Sequence, residues 1–212
     1  MTKIYLVRHG QSEANLMDVF LGQENMDLTA LGHEQAERTA DYLKNIHIDR
    51  IYASDLTRAY HTAEHTAKKK DLPIIKNVGI RELDAGKWEK LPFPELPKRF
   101  PDDWKLWTEN IGRSRCTGGE SVAEVQERVA HEIELLAREN DGKTICLFSH
   151  ATPIRTFVCK IEGRTLDEIK DRPWPSNASV TEVDYENGVF KLIKYSEDSF
   201  MGGISTALPD TV

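Results

Sequence analysis

The sequence predicts an α/β protein built as a three-layer αβα sandwich, with a mostly parallel central sheet and an antiparallel hairpin at one edge. Three observations lead there. Strand-like and helix-like segments alternate along most of the chain, a pattern that stacks parallel strands through right-handed crossovers. Lys143 to Ser149 is almost wholly apolar, as in strands covered on both faces. Val180 to Tyr185 and Val189 to Tyr195 alternate around Glu186-Asn187-Gly188, a strong hairpin signal. With 212 residues and neither linker nor internal repeat, the chain reads as one domain over residues 1–212.

Lys3-Ile4-Tyr5-Leu6-Val7 is β-branched and aromatic, a first strand that stops at Arg8-His9-Gly10. Thr29 reads as the N-cap of a helix running to about Ile46, and Arg50 to Ala53 as a short strand. From Ser54 to about Lys70, Leu56, Ala59, Tyr60, Ala63 and Ala67 share one face at helical period, and Leu72-Pro73 ends the helix. Ile74-Ile75 starts another short strand. Residues about 87–119 are rich in Pro, Trp and charge, a length typical of a lid or binding wall. Their aromatics, Trp88, Phe93, Phe100, Trp104 and Trp107, suit either an apolar wall for a bulky ligand or the packing of a small helix. Ser121-Val122-Ala123-Glu124 is a capping box opening a helix to about Asn140, with Asp141-Gly142 after it. Thr152-Pro153 starts a further helix with Pro at its first position. The tail from Ser196 has no periodicity and is expected to be loosely held.

A net charge of -7, with 39% hydrophobic and 30% charged residues, argues against a broad nucleic-acid or anionic-membrane surface, so any basic site is local. Met1-Thr2-Lys3 leads directly into a strand, and no apolar run is long enough to cross a bilayer, so a cytoplasmic protein is expected. Cys116, Cys146 and Cys159 are odd in number and lack metal-ligand spacing, which points to reduced thiols.

Open α/β sheets keep ligands at the carboxyl ends of their strands. There the first strand offers a cation, an imidazole and a turn-forming glycine, with Ser12 and Asn15 close behind, a cluster suited to phosphate. The strand ending at Ser149 should share that rim and bring His150 to Arg8 and His9, beside a helix start whose N–H groups favour an anion. Arg58, just after Ser54, adds a second guanidinium from a third junction.

The chain resembles the histidine phosphatase superfamily, in the branch of the cofactor-dependent phosphoglycerate mutases and related small-molecule phosphatases. Six blocks carry the resemblance, in order. They are Leu6 to Asn15, Leu28-Thr29-Ala30-Leu31-Gly32 with Gln35-Ala36, Ser54 to Ala59, Arg81-Glu82-Leu83 with Gly86 and Trp88-Glu89, Gly118-Gly119-Glu120-Ser121, and Ser149-His150. The resemblance implies that His9 is the nucleophile and becomes phosphohistidine, and that Arg8, Arg58 and His150 bind the phosphoryl oxygens. Asn15 adds a neutral donor, and Glu82 serves as general acid and then base. Gly22, Gln23 and Ala151 are implied substrate or phosphate contacts. Such chemistry rests on positioning and on stabilising spread negative charge, here with no metal and no cofactor. Arg8 and Arg58 should lower the His9 pKa, and a substrate dianion should raise that of Glu82.

The expected activity is hydrolysis of small-molecule phosphate esters. The alternative is a phosphoglycerate mutase, which would need a bisphosphoglycerate primer. Against it, the chain has Leu21-Gly22 where mutases hold phosphoglycerate with a Thr-Gly pair, and the stretch from Glu82 to His150 is compact. Two lower-ranked readings are a phosphate-binding pseudophosphatase module and a zinc hydrolase. The zinc reading rests on His61-Thr62-Ala63-Glu64-His65, which fits H-x-x-E-H but lies opposite its helix's apolar stripe. Arg113 and Arg115 read as solvated charges, with a second acidic substrate group as the other option. Ala151 and Lys90 stand where the family usually has Gly, so a positive φ at Ala151 would carry strain of about 1 kcal/mol, while Lys90 puts the local lid turn in question. The partner is a small-molecule ester, with no nucleic acid or membrane, and a homo-oligomer remains open.

Overall fold

A computed structural model describes residues 1–207. Strand β1 (Thr2–Arg8) is followed by the short helix α1 (Glu13–Met17) and by α2 (Ala30–Leu43), whose N-cap Thr29 accepts the Gly32 N–H at 3.0 Å. Next come β2 (Arg50–Ala53), α3 (Thr57–Lys70) and β3 (Ile74–Lys76). The lid region folds into single 3-10 turns around α4 (Leu96–Arg99) and α5 (Pro101–Glu109). Helix α6 (Val122–Glu139), β4 (Thr144–Ser149), α7 (Ala151–Ile161) and the hairpin β5 (Val180–Glu186) and β6 (Val189–Glu197) complete the strands and α-helices of the described residues.

The sheet order is β3-β2-β4-β1-β5-β6. The first four strands are parallel, and β5 runs antiparallel to both β1 and β6. Alternation along β1 divides the core. Ile4 and Leu6 pack with Val125, Val129 and Ile133 of α6 and with Ile154 and Phe157 of α7. Tyr5 and Val7 pack with Leu43 of α2 and with Ala63 and Ala67 of α3. A strand covered on both faces needs an apolar residue at nearly every position, which is why β1 and β4 lack polar alternation. The three layers expected from the sequence are present.

Four boundaries differ from expectation. Helix α3 starts at Thr57 because Ser54 still extends the sheet, donating its N–H to Phe148 O at 2.9 Å, and because Asn25 caps the helix from outside. Asn25 Oδ1 accepts from Thr57 N at 2.9 Å and Thr57 Oγ1 at 3.1 Å. Helix α2 ends at Leu43, three residues early. Helix α7 begins at Ala151 with His150 as N-cap, so Pro153 is its third residue. The tail is docked as far as Thr206, whose carbonyl accepts the Asn177 N–H at 2.7 Å. Phe200 stacks on Tyr42 with ring centroids 4.3 Å apart, Met201 is buried, and Arg38 Nη1 donates to Met201 O at 2.5 Å. The end of that tail, residues 208–212, lies outside the described residues. Asn187 and Gly188 take φ values of 51° and 82°, the left-handed pair of a tight hairpin.

Candidate active site

Arg8 and Ser149 are register partners at the carboxyl ends of β1 and β4, so the residues that follow them meet. His9 donates its backbone N–H to Ser149 O at 3.0 Å, and its carbonyl accepts from Ala178 N at 3.1 Å and Asn177 Nδ2 at 3.2 Å. The ring of His9 lies 5.2 Å from that of His150, tilted by 59°. The Nδ1 atom of His9 is 2.7 Å from Gly10 O, which places a proton on Nδ1 and leaves the Nε2 lone pair free. Gly10 has no substitute here, since a Cβ would stand 2.4 Å from the carbonyl oxygen of Gly32.

Two guanidinium groups flank this ring. Arg8 is buried, holds Pro175 O through Nη1 at 2.6 Å, and keeps an unpartnered Nε. Arg58, on the first turn of α3, donates through Nη2 to Gly22 O at 2.7 Å and through Nη1 to Glu24 O at 3.2 Å. Burial pulls both down to about 10, which leaves them cations at neutral pH. Burial first, then Arg58 and Arg8, push the His9 pKa well below the ordinary histidine value. His150 is depressed likewise, by burial and then Arg58. Its Nε2 lies 2.8 Å from Ser54 Oγ, and its Nδ1 has no partner. Two buried imidazoles kept neutral beside two buried cations make a locally positive site suited to an anion.

Glu82 enters from the irregular segment between β3 and α4. Burial raises its carboxyl pKa, and the Leu83 N–H, Arg58 and Thr152 oppose the rise. Leu83 N donates to one carboxyl oxygen at 2.8 Å, and Thr152 N lies 3.5 Å from the other. A buried carboxyl with a raised pKa is suited to holding a proton for transfer.

Arg8, His9, Asn15, Arg58, Glu82 and Ala151 line one cleft, and His150 lies behind it against His9. Asn15 spends Oδ1 on Ser12 N at 2.9 Å and Ser12 Oγ at 3.1 Å, leaving its amide N–H₂ as the donor. Gly22 and Gln23 are not brought to the cleft lining. Gly22 gives its carbonyl to Arg58 and its N–H to Glu89 Oε2 at 2.9 Å. Gln23 donates its side-chain amide to Glu82 O at 3.1 Å and its backbone N–H to Glu89 Oε1 at 2.6 Å. Both are tied to residues of the site, Gly22 to Arg58 and Gln23 to Glu82. Ala151 opens α7 and is not among the positive-φ residues, so the strain considered for it is absent. Lys90 does adopt φ 59°, and its N–H donates to Phe20 O at 2.8 Å, so the turn persists without glycine.

The aromatic segment divides between its two expected roles. Phe93 and Trp107, with Val19, Phe20, Leu21 and Trp174, form the apolar side of the cleft. Trp88 is fully buried, packs near Trp104 and Phe100, and fastens α5 to the core. Arg113 pairs with Asp167 and Arg115 with Glu124, both on the surface. His61 and His65 sit outside the cleft, bonded to Asp27 at 2.6 Å and to Glu37 at 2.8 Å. Among the described residues no group of three or more His, Cys, Asp or Glu is arranged to hold a metal ion, and no helix is long and apolar enough to cross a membrane. Sequence reasoning missed Ser54 as the His150 partner and Glu89 as the carboxylate gathering Gly22 and Gln23. Both contacts join distant segments, and only their presence in the recognised blocks marked them.

The histidine phosphatase superfamily (branch 1) model matches residues 4–198. The chain belongs to that superfamily. It is an enzyme of this class, 35% identical over 198 residues to phosphoserine phosphatase 1 of Hydrogenobacter thermophilus, covering 91% of this chain and 92% of that one. It is also 31% identical to a probable phosphoglycerate mutase, GpmB, of Shigella boydii, over 90% of this chain and 88% of the relative. A mutant phosphoserine phosphatase of Entamoeba histolytica, solved with phosphoserine, matches with TM-score 0.83 and 27% identity, covering 95% of this chain and 100% of that one. The fold match to YhfR of Bacillus stearothermophilus has TM-score 0.91 at 24% identity, over 95% and 100% of the two chains.

Proposed function

We propose that this superfamily member hydrolyses small-molecule phosphate monoesters through a phosphohistidine formed on His9. The observation that carries the reading is the His9 ring, buried between Arg8 and Arg58 with Nδ1 occupied by Gly10 O and its pKa pushed down. In the first step the Nε2 lone pair forms an N–P bond. The ester P–O bond breaks with its electron pair on oxygen, and Glu82 gives that oxygen its proton. In the second step Glu82, now a carboxylate, takes a proton from water as the water oxygen bonds to phosphorus. The N–P bond breaks back onto Nε2, releasing inorganic phosphate. Arg8, Arg58, His150 and the Asn15 amide hold the transferring oxygens throughout, supplying the fixed positive field such a transfer needs. The scheme calls for no metal and no organic cofactor, and we assign the protein to the cytoplasm.

The leaving alcohol faces Val19, Leu21, Phe93, Trp107 and Trp174, and among the described residues the cleft lining holds no cation beyond Arg8 and Arg58. A carboxylate on the alcohol finds no further cation there to pair with, and an unpaired charge is costly to desolvate. This supports water as acceptor and neutral, apolar alcohols as leaving groups, over a mutase acting on phosphoglycerate. A panel of phosphomonoesters tests it, with 3-phosphoglycerate assayed with and without bisphosphoglycerate. Phosphate release should be fastest from alkyl and aryl esters, whereas mutase turnover faster than phosphate release overturns the reading.

A further inference from the structure

The segment carrying Glu82 follows a 3-10 turn (Val78–Ile80) and joins no strand, so its carbonyls need donors from elsewhere. One side chain supplies most of them. Arg128, on the inward side of α6, donates through Nη1 to Gly79 O at 3.0 Å and to Arg81 O at 3.1 Å. Its Nη2 donates to Glu82 O at 3.3 Å and to Glu120 Oε2 at 2.8 Å, and its Nε to Glu120 Oε1 at 2.8 Å. A guanidinium has five N–H donors in a rigid fork, and all five are used here. Glu120 closes the clamp from the far side of the segment. Its Oε2 accepts the Asp84 N–H at 2.9 Å, and its own N–H donates to Asp84 O at 2.9 Å. Gly119 permits this approach, since a Cβ there would lie 2.1 Å from Asp84 O.

We propose that Arg128, held by Glu120, is a positioning residue that aims the Glu82 carboxyl at the leaving oxygen. This rests on Glu82 being the general acid, as proposed above. Arg128 does not line the cleft, and its hydrogen bonds reach the acid through the backbone on either side of Glu82, while its charge adds the smallest of the contributions that lower the His150 pKa. Two of the fork's five bonds hold it to the Glu120 carboxylate, and the other three, to the carbonyls of Gly79, Arg81 and Glu82, fix the course of the irregular backbone and so where the Glu82 side chain points.

The test compares two esters that differ in their need for the proton: a simple alkyl phosphate, and dinitrophenyl phosphate, whose alcohol leaves as an anion. General acid catalysis supplies about 10²–10⁴-fold, so Arg128→Met should lower kcat/KM on the alkyl ester by about 10-fold to 100-fold and by less than about threefold on the aryl ester. Glu120→Gln, which keeps the side chain's shape, should move both values in the same direction by less, and it decides the matter if Arg128→Met does not fold. Glu82→Gln is the control. An equal loss on both esters, or no loss on either, overturns the positioning role provided Glu82→Gln discriminates between the esters. If Glu82→Gln itself fails to discriminate, the assignment of Glu82 as acid falls instead, and the Arg128 proposal with it.

Discussion

The Nδ1 atom of His9 lies 2.7 Å from the carbonyl oxygen of Gly10, so the ring's proton is committed to its own backbone and Nε2 points onward as a nucleophile. Burial together with Arg58 and Arg8 keeps that ring neutral, and His150 is neutral for the same reasons. A histidine depressed in the folded state binds its proton more readily when unfolded. Its contribution to stability is therefore whole above about pH 6.5 and is lost as pH falls toward the folded values. The acid limb of kcat/KM should have its midpoint below about pH 6.5, with Tm falling over the same acidic range. A pH–rate profile with thermal melts checks both. An acid midpoint at or above 6.5 contradicts the neutral-imidazole site.

Glu82 is displaced in the opposite sense. Burial raises its pKa, so its contribution to stability is whole below about pH 4.5 and is lost as pH rises through its folded value. Glu82→Gln removes a carboxyl that is costly to ionise and should stabilise the protein at pH 8 by about 1 kcal/mol, while slowing alkyl phosphate hydrolysis by about 10²-fold or more. Melting curves and steady-state kinetics on the one variant read both effects. A less stable Glu82→Gln protein at pH 8 refutes the assignment.

Lys90 holds φ 59° at the lid turn, and its Nζ contacts Glu24 only at the surface. Left-handed backbone costs a side-chain-bearing residue about 1–2 kcal/mol, and glycine's extra unfolded entropy returns about half. Lys90→Gly should therefore raise stability by about 0.5–1 kcal/mol with kcat/KM unchanged, as denaturant titration will show.

Trp107 is 3% exposed, stands 5.1 Å from Phe20 and 5.8 Å from Trp88 between ring centroids, and leaves its Nε1 unpartnered. Trp107→Ala should cost about 3–5 kcal/mol, and Trp107→Phe, which keeps the packing and removes the unsatisfied N–H, under about 1.5 kcal/mol. Because the ring also lines the cleft, Trp107→Phe should weaken kcat/KM for bulky aryl esters more than for methyl phosphate. Equal kinetic effects would make Trp107 a packing residue alone.

Features set by local physics were legible in the sequence. The two-sided burial of β1 and β4, the Ser121-Glu124 box and the Asn187-Gly188 turn each follow from residues adjacent in the chain. So did the meeting of Arg8 and His9 with His150, since parallel neighbours in a sheet share one rim. What escaped depends on contacts between distant segments. Asn25 caps α3 across 32 residues and so moves its start from Ser54 to Thr57. The bonds of Gly22 to Arg58 and of Gly22 and Gln23 to Glu89 join segments 36 and 66 or more residues apart. The Arg128 fork depends on α6 packing beside the acid's loop, which no local pattern announces.

The most direct test of the mechanism is to quench turnover of a labelled phosphate ester in alkali and measure phosphate bound to the protein. A base-stable, acid-labile phosphohistidine on His9, absent from His9→Ala, is the expected result. Steady hydrolysis with no such adduct in rapid-quench samples, or undiminished hydrolysis by His9→Ala, contradicts it.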